Sequence, residues 1–168
     1  SWYDRKNDRG DTMKRFGQVL LYLLPIILLA CFVYSYFHIS GGEIDGVSDI
    51  GPDCTVTVRK SLFMWDTTLE QYTLTPEGAD ALRELLLDGS YTRVLSRVVS
   101  SDTHEQYDLR VSFPDGRDPL VITVLWGEYL SAAGLFDGRQ LKINAPDFEE
   151  RLEAILNAPA LSVPGIQK

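Results

Sequence analysis

Ser100, Ser101, Asp102, Thr103, His104 and Glu105 follow one another, and His104 is the only histidine after residue 38. A side chain that titrates near neutrality, set between two carboxylates, has the composition of a general base, or of a small metal site completed by Asp102 and Glu105. The same residues also make a polar turn between strands, because Ser, Thr and Asp bond readily to their own backbone. A working histidine needs an orienting partner and a pocket, and spacing alone supplies neither. The polar turn is therefore the first reading, with a hydrolase around His104 below it.

The aromatic side chains offer a second kind of chemistry. Trp65, Trp126 and Tyr129 are candidates to stack on a sugar or to anchor a partner, set against the plainer expectation that they fill the core. Asp66, Glu70, Asp108 and Glu128 could form a carboxylate pair of the glycosidase kind only if folding brought two of them together. The sequence contains no Gly-rich phosphate loop, nucleophile elbow or His-Glu-x-x-His motif. Two cysteines and two histidines at these spacings cannot build a zinc site, so no metal and no cofactor are expected.

These residues are attached to a strongly apolar segment. Residues 16–39 carry no Asp, Glu, Lys or Arg, and 24 residues suffice to cross a bilayer as a helix. Arg5, Lys6, Arg9, Lys14 and Arg15 precede the segment, whereas the first basic residue after it is Arg59. This asymmetry predicts a cytoplasmic tail of residues 1–15, a signal-anchor span of 16–39 and an extracytoplasmic C-terminal part. Tyr34, Tyr36 and Phe37 would then form an aromatic belt at the outer end. A rival reading rests on Leu28, Leu29, Ala30 and Cys31, which resemble a lipobox; Cys31 would then be lipidated after cleavage. The apolar residues that continue past Cys31 favour the uncleaved anchor.

Beyond residue 39 the chain holds 21 acidic and 11 basic side chains, a net charge of about −10. Nucleic acid is an unsuitable partner for such a surface, because its affinity rests on cations that neutralise phosphate. The expected partners are the bilayer, through residues 16–39, and a protein of the membrane or envelope. Cys31 and Cys54 fall on opposite sides of the span boundary, so no disulfide joins them, and Cys54 reads as a buried thiol.

Residues 40–52 are rich in Gly and Asp and are expected as a flexible acidic stalk. A folded domain is expected over 53–157. Cys54, Val56 and Val58 alternate with polar residues as a half-buried strand, and residues 69–74 make a second. Thr75, Pro76 and Glu77 start a helix that Gly89 ends. Strands are expected at 91–100, 106–113, 120–126, 128–132 and 139–143, with turns at Pro114-Asp115-Gly116 and Asp137-Gly138. A second helix, capped by Asn144 or Ala145, buries Phe148, Leu152, Ile155 and Leu156, and residues 158–168 form a loose tail. The expected class is α+β: a transmembrane helix, then a small, mostly antiparallel sheet with two helices packed on one face. In architecture alone, the chain is similar to single-span envelope proteins of bacteria. Together these features suggest an anchored, non-catalytic accessory or protein-interaction domain. A small-ligand or glycan sensor is the alternative.

Overall fold

The computed structural model describes residues 4–62, 67–95, 105–132 and 140–165. It is α+β, with a nine-stranded sheet and three helices. Helix α1 (Asp4–Phe37) contains Pro25. Its segment Gln18–Phe37 has a mean hydropathy of 2.3 and no buried residues, so it is long and apolar enough to cross a membrane. The chain separates into two units, residues 1–37 and 38–168.

The second unit starts at once with β1 (His38–Ser40), so the expected span ends two residues late. A short 3₁₀ turn, Gly41–Glu43, follows. The strands are β2 (Thr55–Leu62), β3 (Thr67–Leu74), β4 (Ser90–Arg93), β5 (Glu105–Ser112), β6 (Leu120–Leu125), β7 (Tyr129–Ala132), β8 (Leu141–Ile143) and β9 (Ser162–Pro164). Their order across the sheet is β1-β4-β8-β7-β6-β5-β2-β3-β9, and every neighbouring pair is antiparallel. Helix α2 (Pro76–Asp88) links β3, near one edge, to β4, near the other; α3 (Phe148–Asn157) links β8 back to β9. Both connections must traverse the sheet, and the two helices pack against each other.

Period-two alternation explains the core. Val56 and Val58 of β2, Tyr107, Leu109 and Val111 of β5, and Ile122 and Val124 of β6 are all buried. They share one cluster with Ala79, Leu82, Leu85 and Leu86 of α2 and Phe148, Leu152, Ile155 and Leu156 of α3. Thr75 caps α2, its hydroxyl accepting from the Gly78 N–H at 3.1 Å, with Pro76 at the first helical position.

Several expectations are corrected. Residues 40–52 are not a flexible stalk: Ile44, Val47 and Ile50 are buried in the core, and Arg83 of α2 donates to the Ile50 carbonyl at 3.2 Å. Gly and Asp serve tight turns here, and the three apolar residues between them are the buried part. The domain therefore starts before residue 53. It also extends beyond 157, because β9 pairs with β3, buries Ser162 and is followed by a Gly165 N–H that donates to Gln71 at 2.6 Å. Asn144 does not cap α3; its side chain bonds Thr92, and Asp147 takes the N-cap position. Gly89 ends α2 in extended rather than left-handed backbone, and glycine fits there because a Cβ would strike the Tyr91 ring. Cys54 is half-buried against the core, and Cys31 is exposed on α1.

Gly78 sits against the Leu161 carbonyl, where a Cβ has no room. Gly78→Ala is expected to destabilise the domain by about 1–3 kcal/mol through overpacking, measurable by urea denaturation. A fragment starting at residue 53 is expected to lose cooperative unfolding, whereas one starting at His38 keeps it.

Candidate functional site

Continuing the β2 alternation past Val58 sends Lys60 to the covered face of the sheet, next to Tyr107 across the β2–β5 register. The Lys60 side chain is only 15% exposed. Its ammonium contacts Glu105 at 2.7 Å and Glu153 of α3 at 3.1 Å, and lies 5.4 Å from the centre of the Tyr107 ring. The Tyr107 hydroxyl donates to the same Glu153 carboxylate at 2.7 Å. Glu149, one turn earlier on α3, completes a trio in which carboxylate oxygens of Glu105, Glu149 and Glu153 lie within 4.8 Å of one another. The backbone of the β6–β7 turn closes this end. The Trp126 N–H donates to the Glu105 carbonyl at 3.4 Å, and a Cβ on Gly127 would collide with Glu149. Trp126 and Gly127 both adopt positive φ, 55° and 64°. Such backbone is unusual for a bulky residue and commonplace for glycine.

The electrostatics follow from these contacts. Burial alone would depress the Lys60 pKa, but its bonds to Glu105 and Glu153 outweigh that and leave it raised. The Glu153 carboxyl is held below its ordinary value, first by the Tyr107 hydroxyl and then by Lys60. Glu149 is raised, by burial first and then by the negative charges of Glu153 and Glu105. One lysine thus neutralises two carboxylates directly, while the third keeps a higher proton affinity. Three such oxygens could also gather around a divalent cation, but Lys60 already provides positive charge at the same spot.

The two candidate aromatics come together. Trp126 and Tyr129 pack edge to face, with ring centres 5.8 Å apart. Tyr129 is opposite Leu125 and Lys142, which places it on the face of the sheet away from α2 and α3. Trp65, Asp102 and His104 lie outside the described residues. Glu105, the remaining member of the polar segment, is an ion-pair partner of Lys60 at the start of β5. The proposed carboxylate pairings are not formed between Glu70 and Asp108. Glu70 is opposite Lys60 and Asp108 is opposite Arg59, so the two point to opposite faces. Asp108 is bound by Arg59 at 3.0 Å, Gln106 at 3.1 Å and Thr123 at 2.9 Å. Glu70 accepts the Tyr72 hydroxyl at 2.6 Å, Glu128 is exposed, and Asp66 lies outside the described residues.

Sequence reasoning assigned no joint role to Lys60, Tyr107, Glu149 and Glu153. Two signals were available: the inward parity of Lys60 after Val56 and Val58, and the i, i+4 spacing of Glu149 and Glu153. No protein-family profile, curated protein or solved structure matches this chain.

Lys60→Met is expected to destabilise the domain at neutral pH by about 1–2 kcal/mol, a buried-pair cost reduced because Glu105 and Glu153 remain partly exposed. The loss should shrink as acid protonates the carboxylates. Glu149→Gln acts in the opposite direction. A raised folded pKa means that ionised Glu149 opposes folding, and that this penalty is absent below the unfolded value and complete above the folded one. The variant should therefore melt higher than the parent at pH 7 and equally at pH 4, as followed by circular dichroism.

Proposed function

We propose that this chain is a single-span membrane protein whose C-terminal domain lies outside the cytoplasm and acts without catalysis, as an accessory or protein-interaction module of a bacterial-type cell envelope. The observation that carries this reading is the helix Gln18–Phe37, wholly exposed and strongly apolar, joined without a linker to the first strand of a folded unit. Apolar surface on that scale is stable in lipid and costly in water. The five basic residues before it favour a cytoplasmic N-terminus. The cluster around Lys60 supports a non-catalytic role, since its bonds join sheet to helix and largely compensate one another.

A second reading, a glycan or small-ligand sensor, draws support from the Trp126–Tyr129 pair at the β6–β7 turn. A hydrolase around His104 rests on composition alone, and lipidation at Cys31 rests on the four-residue lipobox pattern.

Alkaline phosphatase fused after Lys168 is expected to be active, because the enzyme matures only where disulfides form; an inactive fusion would reverse the orientation. Cross-linked membranes are expected to yield a stoichiometric protein partner with the full chain and with the fragment starting at His38. Capture by the full chain alone would assign the contact to α1. Capture by neither would remove the interaction module as the leading reading.

A further inference from the structure

A cleft of about 500 Å³ opens between β3, β9 and the C-terminal end of α3, a volume within the range of small-ligand sites. Leu156, Pro159 and Pro164 supply apolar walls. Pro164 is opposite Tyr72 across the β3–β9 register and shares its face, whereas Val163, opposite Thr73, turns to the other face of the sheet. Apolar surface left bare inside a concavity is what a ligand with an apolar body would cover.

The polar part of the lining has one sign. Glu70 provides a carboxylate, and the Tyr72 hydroxyl fixes its orientation from 2.6 Å. That bond, with burial behind it, pushes the Tyr72 pKa up to about 12, so the phenol stays a donor and the carboxylate an acceptor. The end of α3 borders the cleft with no basic residue in its last turn, and its Ile155 and Leu156 carbonyls already accept from the Ala158 N–H and the Ser162 hydroxyl. Among the described residues, no Lys or Arg lines the cleft. Lys60, across the β2–β3 register from Glu70, is committed to Glu105 and Glu153 instead. The one formal charge among the described lining residues is therefore negative. A cation would meet a carboxylate already oriented by the Tyr72 hydroxyl.

We infer that this cleft binds a small organic cation, an alkyl-ammonium whose charged head is held by Glu70 and Tyr72 and whose apolar body packs on Leu156, Pro159 and Pro164. The reading is independent of the partner sought above, and Lys60 enters it only as the cross-strand neighbour of Glu70.

The test titrates the full chain, in dodecyl maltoside micelles at low salt, with choline chloride and with its uncharged analogue 3,3-dimethylbutan-1-ol, by isothermal titration calorimetry. Choline is expected to saturate and to bind at least about tenfold more tightly than the neutral analogue. Glu70→Gln should weaken choline by about tenfold or more, as loss of a charge-assisted contact implies. Tyr72→Phe keeps the ring and loses only the orienting hydroxyl, so its effect should be smaller. Pro159→Arg places a cation at the cleft wall from the chain itself and should abolish choline binding, an independent check if Glu70→Gln melts early. Equal binding of choline and its neutral analogue, or a folded Glu70→Gln with parental affinity, overturns the inference. Doping the micelles with phosphatidylcholine separates the sources: competition assigns the ammonium to a lipid headgroup, and no competition to a soluble molecule.

Discussion

Two helices cannot cover nine strands, and most of the domain's organisation follows from that mismatch. Strands spaced about 4.8 Å apart give a sheet about 38 Å wide, while two helices about 10 Å across shield little more than half of it. The remainder is closed by other means. Ile44, Val47 and Ile50 extend the core beside α2, with Arg83 tied to the Ile50 carbonyl. On the α3 side the apolar core gives way to a charged seam, where Lys60 and Tyr107 from the sheet meet Glu153 from the helix. A segment that reads as a linker thus becomes structural, and a lysine is stationed on the covered face.

The seam has consequences beyond packing. Lys60 bridges β5 and α3 through two carboxylates, so removing it would leave like charges crowded at the edge of the core. Glu149 belongs to that crowd and meets the β6–β7 turn, where Gly127 allows the close approach. The Trp126–Tyr129 pair grows from the same turn but lies toward the face away from α2 and α3. One tight turn therefore serves two surfaces, closing the charged seam with its backbone and presenting an aromatic pair with its side chains.

The face away from α2 and α3 has its own electrostatic logic. Asp108 is shared among Arg59, Gln106 and Thr123, a cross-strand network over β2, β5 and β6. Its bonding capacity is largely used within the sheet, which suits a scaffold more than a reacting carboxylate. The cleft beside β9 differs in that Glu70 is oriented by a neighbour and faces space. Orientation without neutralisation distinguishes a prepared binding group from a structural one.

Local patterns were legible in the chain. The apolar run of α1 stands out because it is long enough to cross a bilayer and holds no charged residue. Most strands of the sheet followed from period-two alternation, and the core of α3 followed from Phe148, Leu152, Ile155 and Leu156 at helical spacing. The α+β class was readable from the order of these elements. What escaped had no local signature. Ile44, Val47 and Ile50 sit singly among Gly and Asp, and only the unfilled end of the sheet gives them a place in the core. The pairing of β9 with β3 depends on α3 returning the chain to the far edge. Lys60, Glu105 and Glu153 are distant in sequence and meet only because the β2–β5 register and the position of α3 align them. The sequence by itself therefore determined the elements, whose periodicity is a property of neighbouring residues. Tertiary structure alone decided the strand order, the seam and the cleft, because these depend on distances between residues that the chain keeps far apart.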